Sequence, residues 1–138
     1  MSDEADAVLI QKFASIERCI RAIEEYLGGD LSRLDDQLIQ DAVLLNVQRA
    51  CEQAIDAACR MVSKRSLGVP SDAAAAFELL ERRGLISIDS RHAMKAMVGF
   101  RNVAVHEYRR LDHAILREVV SNRLGDFRRL CRELAEHA

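Results

Sequence analysis

The sequence predicts an all-α protein, an antiparallel helical bundle of about four long helices plus one short helix. Three observations predict it. Apolar residues recur at spacings of three and four over long stretches, which is the period of one helix face. Aromatic residues make up only 4% of the chain, with no Trp and a single Pro, so a 49% hydrophobic content rests mainly on Leu, Ile, Val and Ala. The breaks between the periodic stretches are few and short, as expected for a bundle with short connections. No segment reads as a strand, an internal repeat or a low-complexity tract. At 138 residues the chain is the size of one ordinary domain, taken as residues 1–138.

The first helix is expected from about residue 3 to residue 27, where Leu9, Phe13, Ile16, Ile20, Ile23 and Leu27 form one stripe and Gly28-Gly29 stops it. A short polar link leads to Asp35 or Asp36 as N-cap of the second helix, which runs to about residue 63. Val43, Val47, Ala50, Ala54, Ala58 and Met61 lie along one face of it, with Cys51, Ile55 and Val62 alongside. That breadth implies more than one packing partner. Pro70 disfavours helix at Val69, and Ser71 or Asp72 caps a short third helix ending at Gly84. Asp89 or Ser90 is expected to start the fourth, which carries Met94, Met97 and Val98. Asp112 reads as the cap of a last helix whose apolar face includes Ile115, Leu116, Val119, Leu124, Phe127, Leu130, Cys131 and Leu134.

The chemistry of the chain is concentrated in residues 101–108, Arg-Asn-Val-Ala-Val-His-Glu-Tyr, an R-x4-H-x-Y pattern. Arg101 is a fixed cation with five donors in a planar fork, suited to a phosphate. His106 is of the type whose unperturbed pKa allows proton exchange near neutrality. An anion clamp beside a proton shuttle is the minimum equipment for cleaving RNA without a metal. The 2′-hydroxyl would be the nucleophile, His106 would move protons, and Arg101 would neutralise the developing charge. Asn102, one helical turn before His106, adds a polar group that can orient it or position a phosphate. On an ideal helix, positions five apart are rotated by about 140°. So either the helix loosens near Val105, or two chains bring their pairs to one cleft. Glu107 and Asp112 are candidate acidic partners for this Arg and His.

Other features bound the reading. The formal charge of −2 excludes a basic nucleic-acid coat. Only Lys12, Lys64 and Lys95 are lysines; the arginine bias suits phosphate recognition and follows equally from a GC-rich genome. Arg109 and Arg110 extend the motif as a weaker RNA-binding rim, while Arg128, Arg129 and Arg132 read mainly as a solvated face. Cys19, Cys51, Cys59 and Cys131 form no C-x-x-C pair and read as reduced, mostly buried thiols. His92, His113 and His137 show no metal-ligand spacing, and no Gly-rich phosphate loop is present, so no metal and no cofactor are expected. The acidic start and the lack of a long apolar run predict a cytoplasmic protein without a membrane span.

The longer run Gly99-Phe100-Arg101-Asn102 with Ala104-Val105-His106 and Tyr108, followed by Asp112, resembles the HEPN family, and in particular its HepT-like toxins paired with MntA-like nucleotidyltransferase antitoxins. Residues 41–50, 67–71 and 77–80 are similar to the second helix, the connection and the third helix of such chains, so the resemblance covers about residues 5–130. It implies the HEPN fold and a type VII-like toxin–antitoxin role. The activity it implies is a metal-independent endoribonuclease, with the motifs of a homodimer lining one groove and with RNA, including transfer RNA, as substrate. It also implies that Tyr108 is the acceptor of AMP from the antitoxin. The bulk and phosphate charge of AMP beside Arg101 would then block RNA. The alternative is a non-catalytic helical module that docks on a nucleotidyltransferase and helps bind its nucleotide or substrate.

Overall fold

Asp6 opens the first helix. Its backbone is extended, and its carboxylate accepts from the N–H groups of Val8 and Leu9, which a helix start leaves without intrahelical partners. The computed structural model describes residues 6–106 and 113–138, with Val105 and His106 described by their backbone alone. Helix α1 (Ala7–Leu27) ends on Gly28 in the left-handed region at φ 54°. A 3-10 turn (Leu31–Asp35), not anticipated from the sequence, follows; Asp30 caps it, and it buries Leu34. Asp36 caps α2 (Gln37–Lys64), and Asp72 caps α3 (Ala73–Arg82).

The fourth helix, α4 (Ile88–His106), begins slightly earlier than expected. The Ser87 hydroxyl accepts from the N–H of Ser90, so Ser87 takes the capping role assigned to Asp89 or Ser90. Helices α5 (His113–Glu118) and α6 (Leu124–Ala135) run on through a π-helical turn (Val119–Arg123) and together form the expected last helix. Asp112, its expected cap, lies outside the described residues. The described residues thus form an all-α structure, as predicted.

Ion pairs and hydrogen bonds fix how the helices run. Lys12 meets Asp56 and Asp6 meets Arg60 and Lys64, so α1 and α2 are antiparallel. Glu78–Lys95 and Glu81–Arg91 set α3 antiparallel to α4. Arg129–Ser90 and Glu133–Ser87 set α6 antiparallel to α4. Gln40 meets His113 and Arg65 meets His137, so α2 runs parallel to the last helix. It follows that the C-terminal end of α4 points toward the N-terminal half of α2.

The core is one cluster built from the faces the sequence marked. Leu9, Ile16, Ile20 and Ile23 of α1 are buried, as are Val43, Val47, Ala50, Ala54, Ala58 and Met61 of α2. Phe77 and Phe127, both fully enclosed, are its largest members. Truncating either to Ala would cost about 3–5 kcal/mol. Ile115, assigned to this face from spacing, is instead 50% exposed. All four cysteines are free; Cys19 and Cys51 are buried. Among the described residues no helix is long and apolar enough to cross a membrane.

Asp6 supplies a pH-dependent clamp. Arg60 Nε lies 3.1 Å and Lys64 Nζ 3.4 Å from its Oδ2. The Arg60 hydrogen bond, helped by the Leu9 N–H and Lys64 and opposed by burial, lowers its carboxyl from 3.8 to about 2. A carboxyl with a depressed folded-state pKa stabilises fully above its unfolded value and loses that contribution as pH falls through the folded one. Asp6→Asn keeps the cap and removes the charge. Its urea midpoint should therefore fall less than that of the wild type between about pH 4 and pH 2. Parallel curves would show that the clamp is not ionic.

Candidate active site at the end of the fourth helix

Helix α4 brings Arg101 and Asn102 to the end of the bundle where α5 starts and the N-terminal half of α2 lies alongside. Ser90, Met94, Met97 and Ala104 face the core. Arg101 follows Met97 by one turn, so it belongs to the same side and points along α2 rather than straight into solvent. Its Nε is buried and lies 4.0 Å from Glu52 Oε1, without a hydrogen bond among the described residues. Its Nη1 donates to Asn102 Oδ1 at 3.1 Å. The side chain is 31% exposed. The guanidinium is therefore oriented on two sides while several of its donors remain uncommitted among the described residues.

Beneath it sits Cys51, whose thiol donates to the Met97 carbonyl oxygen at 3.7 Å. Burial pushes this thiol up to about 12, against the opposing pull of the Arg101 charge. Cys51 is thus a neutral packing group under the arginine, not a nucleophile.

The structure brings Arg101 and Asn102 together. Gly99, Asn102 and Val103 make up an exposed strip of α4, beside the face on which Arg101 sits. The helix stays regular through His106, so a loosening near Val105 is not the arrangement seen. On a continuous helix, position 106 is about 140° from position 101, on the side of that exposed strip. The side chain of His106 lies outside the described residues, as do Glu107, Tyr108, Arg109, Arg110 and Asp112.

Two residues near the motif escaped sequence reasoning. Glu52 is 49 positions away from Arg101, and nothing local marks it as its carboxylate neighbour. Gln40, a buried polar residue of α2, contacts Nδ1 of His113, the first residue of α5, and so ties down the far end of the segment that follows the motif. The sequence held one hint, a polar Gln on the helical period of Val43 and Val47, and the structure buries it.

Two of the three arginines singled out on the last helix, Arg128 and Arg129, are committed elsewhere. Arg128 binds both oxygens of Glu17 at 2.8 and 2.9 Å and reaches Glu24 at 2.9 Å. That contact holds the Glu17 carboxyl below its ordinary range. Arg129 is held by Ser90 and Asp126. These two join helices rather than forming a free basic face.

Residues 16–134 match the family model described as Ribonuclease HepT-like. The chain is 39% identical over 120 residues to the mRNA nuclease HepT of Shewanella oneidensis, a match covering 87% of this chain and 90% of that protein. It is 37% identical, with a TM-score of 0.89, to the tri-AMPylated Shewanella oneidensis HEPN toxin solved in complex with an MNT antitoxin, over 94% of this chain and 98% of that one. YutE of Bacillus subtilis, at 13% identity and a TM-score of 0.71, shares the fold. A capped antiparallel bundle, an arginine half-buried at the end of its fourth helix, and these matches lead to one conclusion: the chain belongs to the HepT-like ribonuclease family.

Proposed function

We propose that this protein is the toxin of a toxin–antitoxin pair and a metal-independent endoribonuclease, acting as a homodimer through the R-x4-H motif. The observation that carries this reading is the state of Arg101. A half-buried guanidinium whose Nε has no hydrogen bond among the described residues, with Glu52 at 4.0 Å and Asn102 accepting from Nη1, is suited to accept an anion. A purely structural arginine would be expected to resemble Arg128, with its donors committed to carboxylates. The relative from Shewanella oneidensis that carries the name mRNA nuclease adds independent support.

In this reading the 2′-hydroxyl of RNA attacks the adjacent phosphorus, and the bond to the 5′-oxygen breaks. One His106 takes the 2′-proton, and His106 of the partner subunit protonates the leaving oxygen. Arg101 stabilises the charge on the phosphoryl oxygens. Asn102 holds Arg101 and sits one turn from position 106. The regular course of α4 supports the dimer, because positions 101 and 106 of one helix do not share a side. The products are a 2′,3′-cyclic phosphate and a 5′-hydroxyl, and DNA is not cut. Arg109 and Arg110 extend the RNA-binding rim. Tyr108 is the site at which an MntA-like nucleotidyltransferase antitoxin adds AMP and silences the toxin. The solved relative, AMPylated and bound to its MNT antitoxin, supports that assignment.

The test is RNA cleavage in EDTA by protein made without antitoxin, with the intact mass of Tyr108 checked in the same sample. Wild type should cut total RNA to cyclic-phosphate ends and sediment as a dimer. Arg101→Ala and His106→Ala should each lose about 100-fold or more. Asn102→Ala should lose less, about tenfold. A folded, unmodified dimer that cuts no RNA would sink the nuclease and favour a docking module.

Glu52 tempers the same arginine. Removing its charge in Glu52→Gln should tighten inorganic phosphate binding, followed by the Arg101 Nε–H signal in NMR, by about two- to fivefold at low salt. An unchanged titration would mean that Glu52 and Arg101 do not share charge.

A further inference from the structure

The exposed ridge of α2 beside Arg101 carries a cation that the motif does not include, and α1 carries a second. Glu52, the carboxylate neighbour of Arg101, has Arg49 one turn before it on α2. Across the α1–α2 seam from Arg49 stands Arg18. The antiparallel register of the two helices, fixed by Lys12–Asp56 and Asp6–Arg60, brings this pair level. Burial raises the Cys19 thiol, and the Arg49 and Arg18 charges both oppose it, so both lie within reach of that residue. Three guanidiniums thus follow one another across the bundle: Arg101 on α4, Arg49 on α2 and Arg18 on α1.

Arg18 and Arg49 are exposed, and neither has an ion pair or a hydrogen bond among the described residues. The positions one turn from Arg18 on α1 hold Ala14, Ser15, Arg21 and Ala22, so its own helix offers it no acid there. Arg60, Arg91 and Arg128, in contrast, each bridge to an acid of another helix or its cap. Arg82, Arg83 and Arg132 also lack a salt bridge among the described residues, but they stand toward the start of α4, at the far end from Arg101.

From the Arg18–Arg49 pair an open groove of about 410 Å³ continues along the α1–α2 seam. Gln11, Ser15 and Arg18 of α1 line it together with Gln53 of α2. The two amides and the hydroxyl make no hydrogen bond among the described residues, and each can both donate and accept. Lys12, which also lines the groove, is matched by Asp56 at 3.3 Å. Uncharged donors and acceptors that lead to two unpaired guanidiniums suit a phosphate–ribose backbone rather than an apolar helix.

We propose that Arg49, Arg18 and the groove beyond them form a track for single-stranded RNA, in which the two arginines hold the phosphates that follow the one gripped by Arg101, and Gln11, Ser15 and Gln53 contact ribose and phosphate oxygens. The inference rests on the RNA-cleaving reading for the phosphate at Arg101. A groove one helix seam wide takes a single strand, not a duplex. Contacts to phosphate and ribose carry no base information. The track therefore sets affinity and the path by which the strand leaves the cut, and not the base at the cut.

The experiment measures binding of a fluorescein-labelled single-stranded RNA of about 12 nucleotides by anisotropy over a range of salt. The parent is the full-length His106→Ala chain made without antitoxin, so that the RNA stays whole. Arg18→Ala, Arg49→Ala and the double variant are made in it. Arg132→Ala serves as a control cation at the other end of the bundle, and thermal melting checks folding. Each arginine removed from the track should weaken binding about three- to tenfold at low salt and lower the slope of log affinity against log salt by about 0.7. The double variant should lose about twice that slope, while Arg132→Ala should match the parent. In the cleaving protein the same losses should appear as a higher KM for this RNA. Arg18 and Arg49 variants that bind like the parent, or an equal loss in Arg132→Ala, would overturn the inference. So would weaker capture of the nucleotidyltransferase partner with RNA binding intact, which would assign the two arginines to a protein contact. RNA cleavage by the wild type, with binding untouched by the track variants, removes the track and leaves the nuclease. Track-dependent RNA binding by a chain whose wild type cuts no RNA keeps the track and removes the nuclease.

Discussion

The bundle depends on how completely α2 can be enclosed. Its buried positions are Gln40, Val43, Leu44, Val47, Ala50, Cys51, Ala54, Ala57, Ala58, Met61 and Val62. They span well over a third of the helix circumference, a stripe too wide for one neighbour to cover. The contact partners are α1, α3, α4 and α6, arranged around it. Ala50, Ala54, Ala57 and Ala58 are central to this arrangement, since small side chains let other helices approach closely while larger ones at Val43, Val47 and Met61 fill the ends. Hydrophobic burial drives the assembly, but it does not set direction. The ion pairs and buried hydrogen bonds along the seams do, and most of them use arginine.

That use of arginine explains why Arg101 stands apart. Arg60 holds the Asp6 cap, Arg128 ties the last helix to α1 through Glu17 and Glu24, and Arg129 ties it to Ser90 and Asp126. Each makes a close contact with a carboxylate. Arg101 is packed into the same kind of seam, between α4 and α2, yet among the described residues its carboxylate neighbour is at 4.0 Å. A desolvated cation with a loosely matched counter-charge interacts strongly with any anion that reaches it. In the proposed reading, the fold would make a phosphate grip from an arginine that is only loosely paired among the described residues, with Asn102 accepting from one end of its fork.

The fold was legible because helix signals are local. The caps were narrowed to Asp35 or Asp36 and to Ser71 or Asp72, of which the structure uses Asp36 and Asp72; Gly28 was legible as a stop, and the apolar stripes of α1 and α2 matched the buried faces almost residue for residue. What spacing did not supply was competition between neighbours. Ile115 fits the apolar period of the last helix but lies where a cleft keeps α4 away, so it remains half exposed. The π turn that follows shifts the helical phase, which no fixed period of 3.6 can anticipate. Ser87 displaced Asp89 and Ser90 as the cap because its hydroxyl reaches the N–H of Ser90, while Ser90 is buried and taken by Arg129. The motif residues were legible by type, whereas Glu52 and Gln40 reach the motif region only through tertiary packing.

The straightness of α4 limits what the monomer can do. A loosened helix would let one chain gather an arginine and a histidine on one side, and the active site would then need no second copy. A regular helix separates them by about 140°, with Arg101 on the seam facing α2 and position 106 toward the exposed strip of Gly99, Asn102 and Val103. A phosphate held by Arg101 at that seam is approached most directly from the exposed strip of α4, and a histidine able to reach it must come from outside the same helical turn. In the proposed dimer, each chain would then supply the grip for one side of the groove and the proton-transfer group for the other. In the proposed reading, AMP added to Tyr108, two positions beyond His106 in sequence, would oppose catalysis by competing for Arg101.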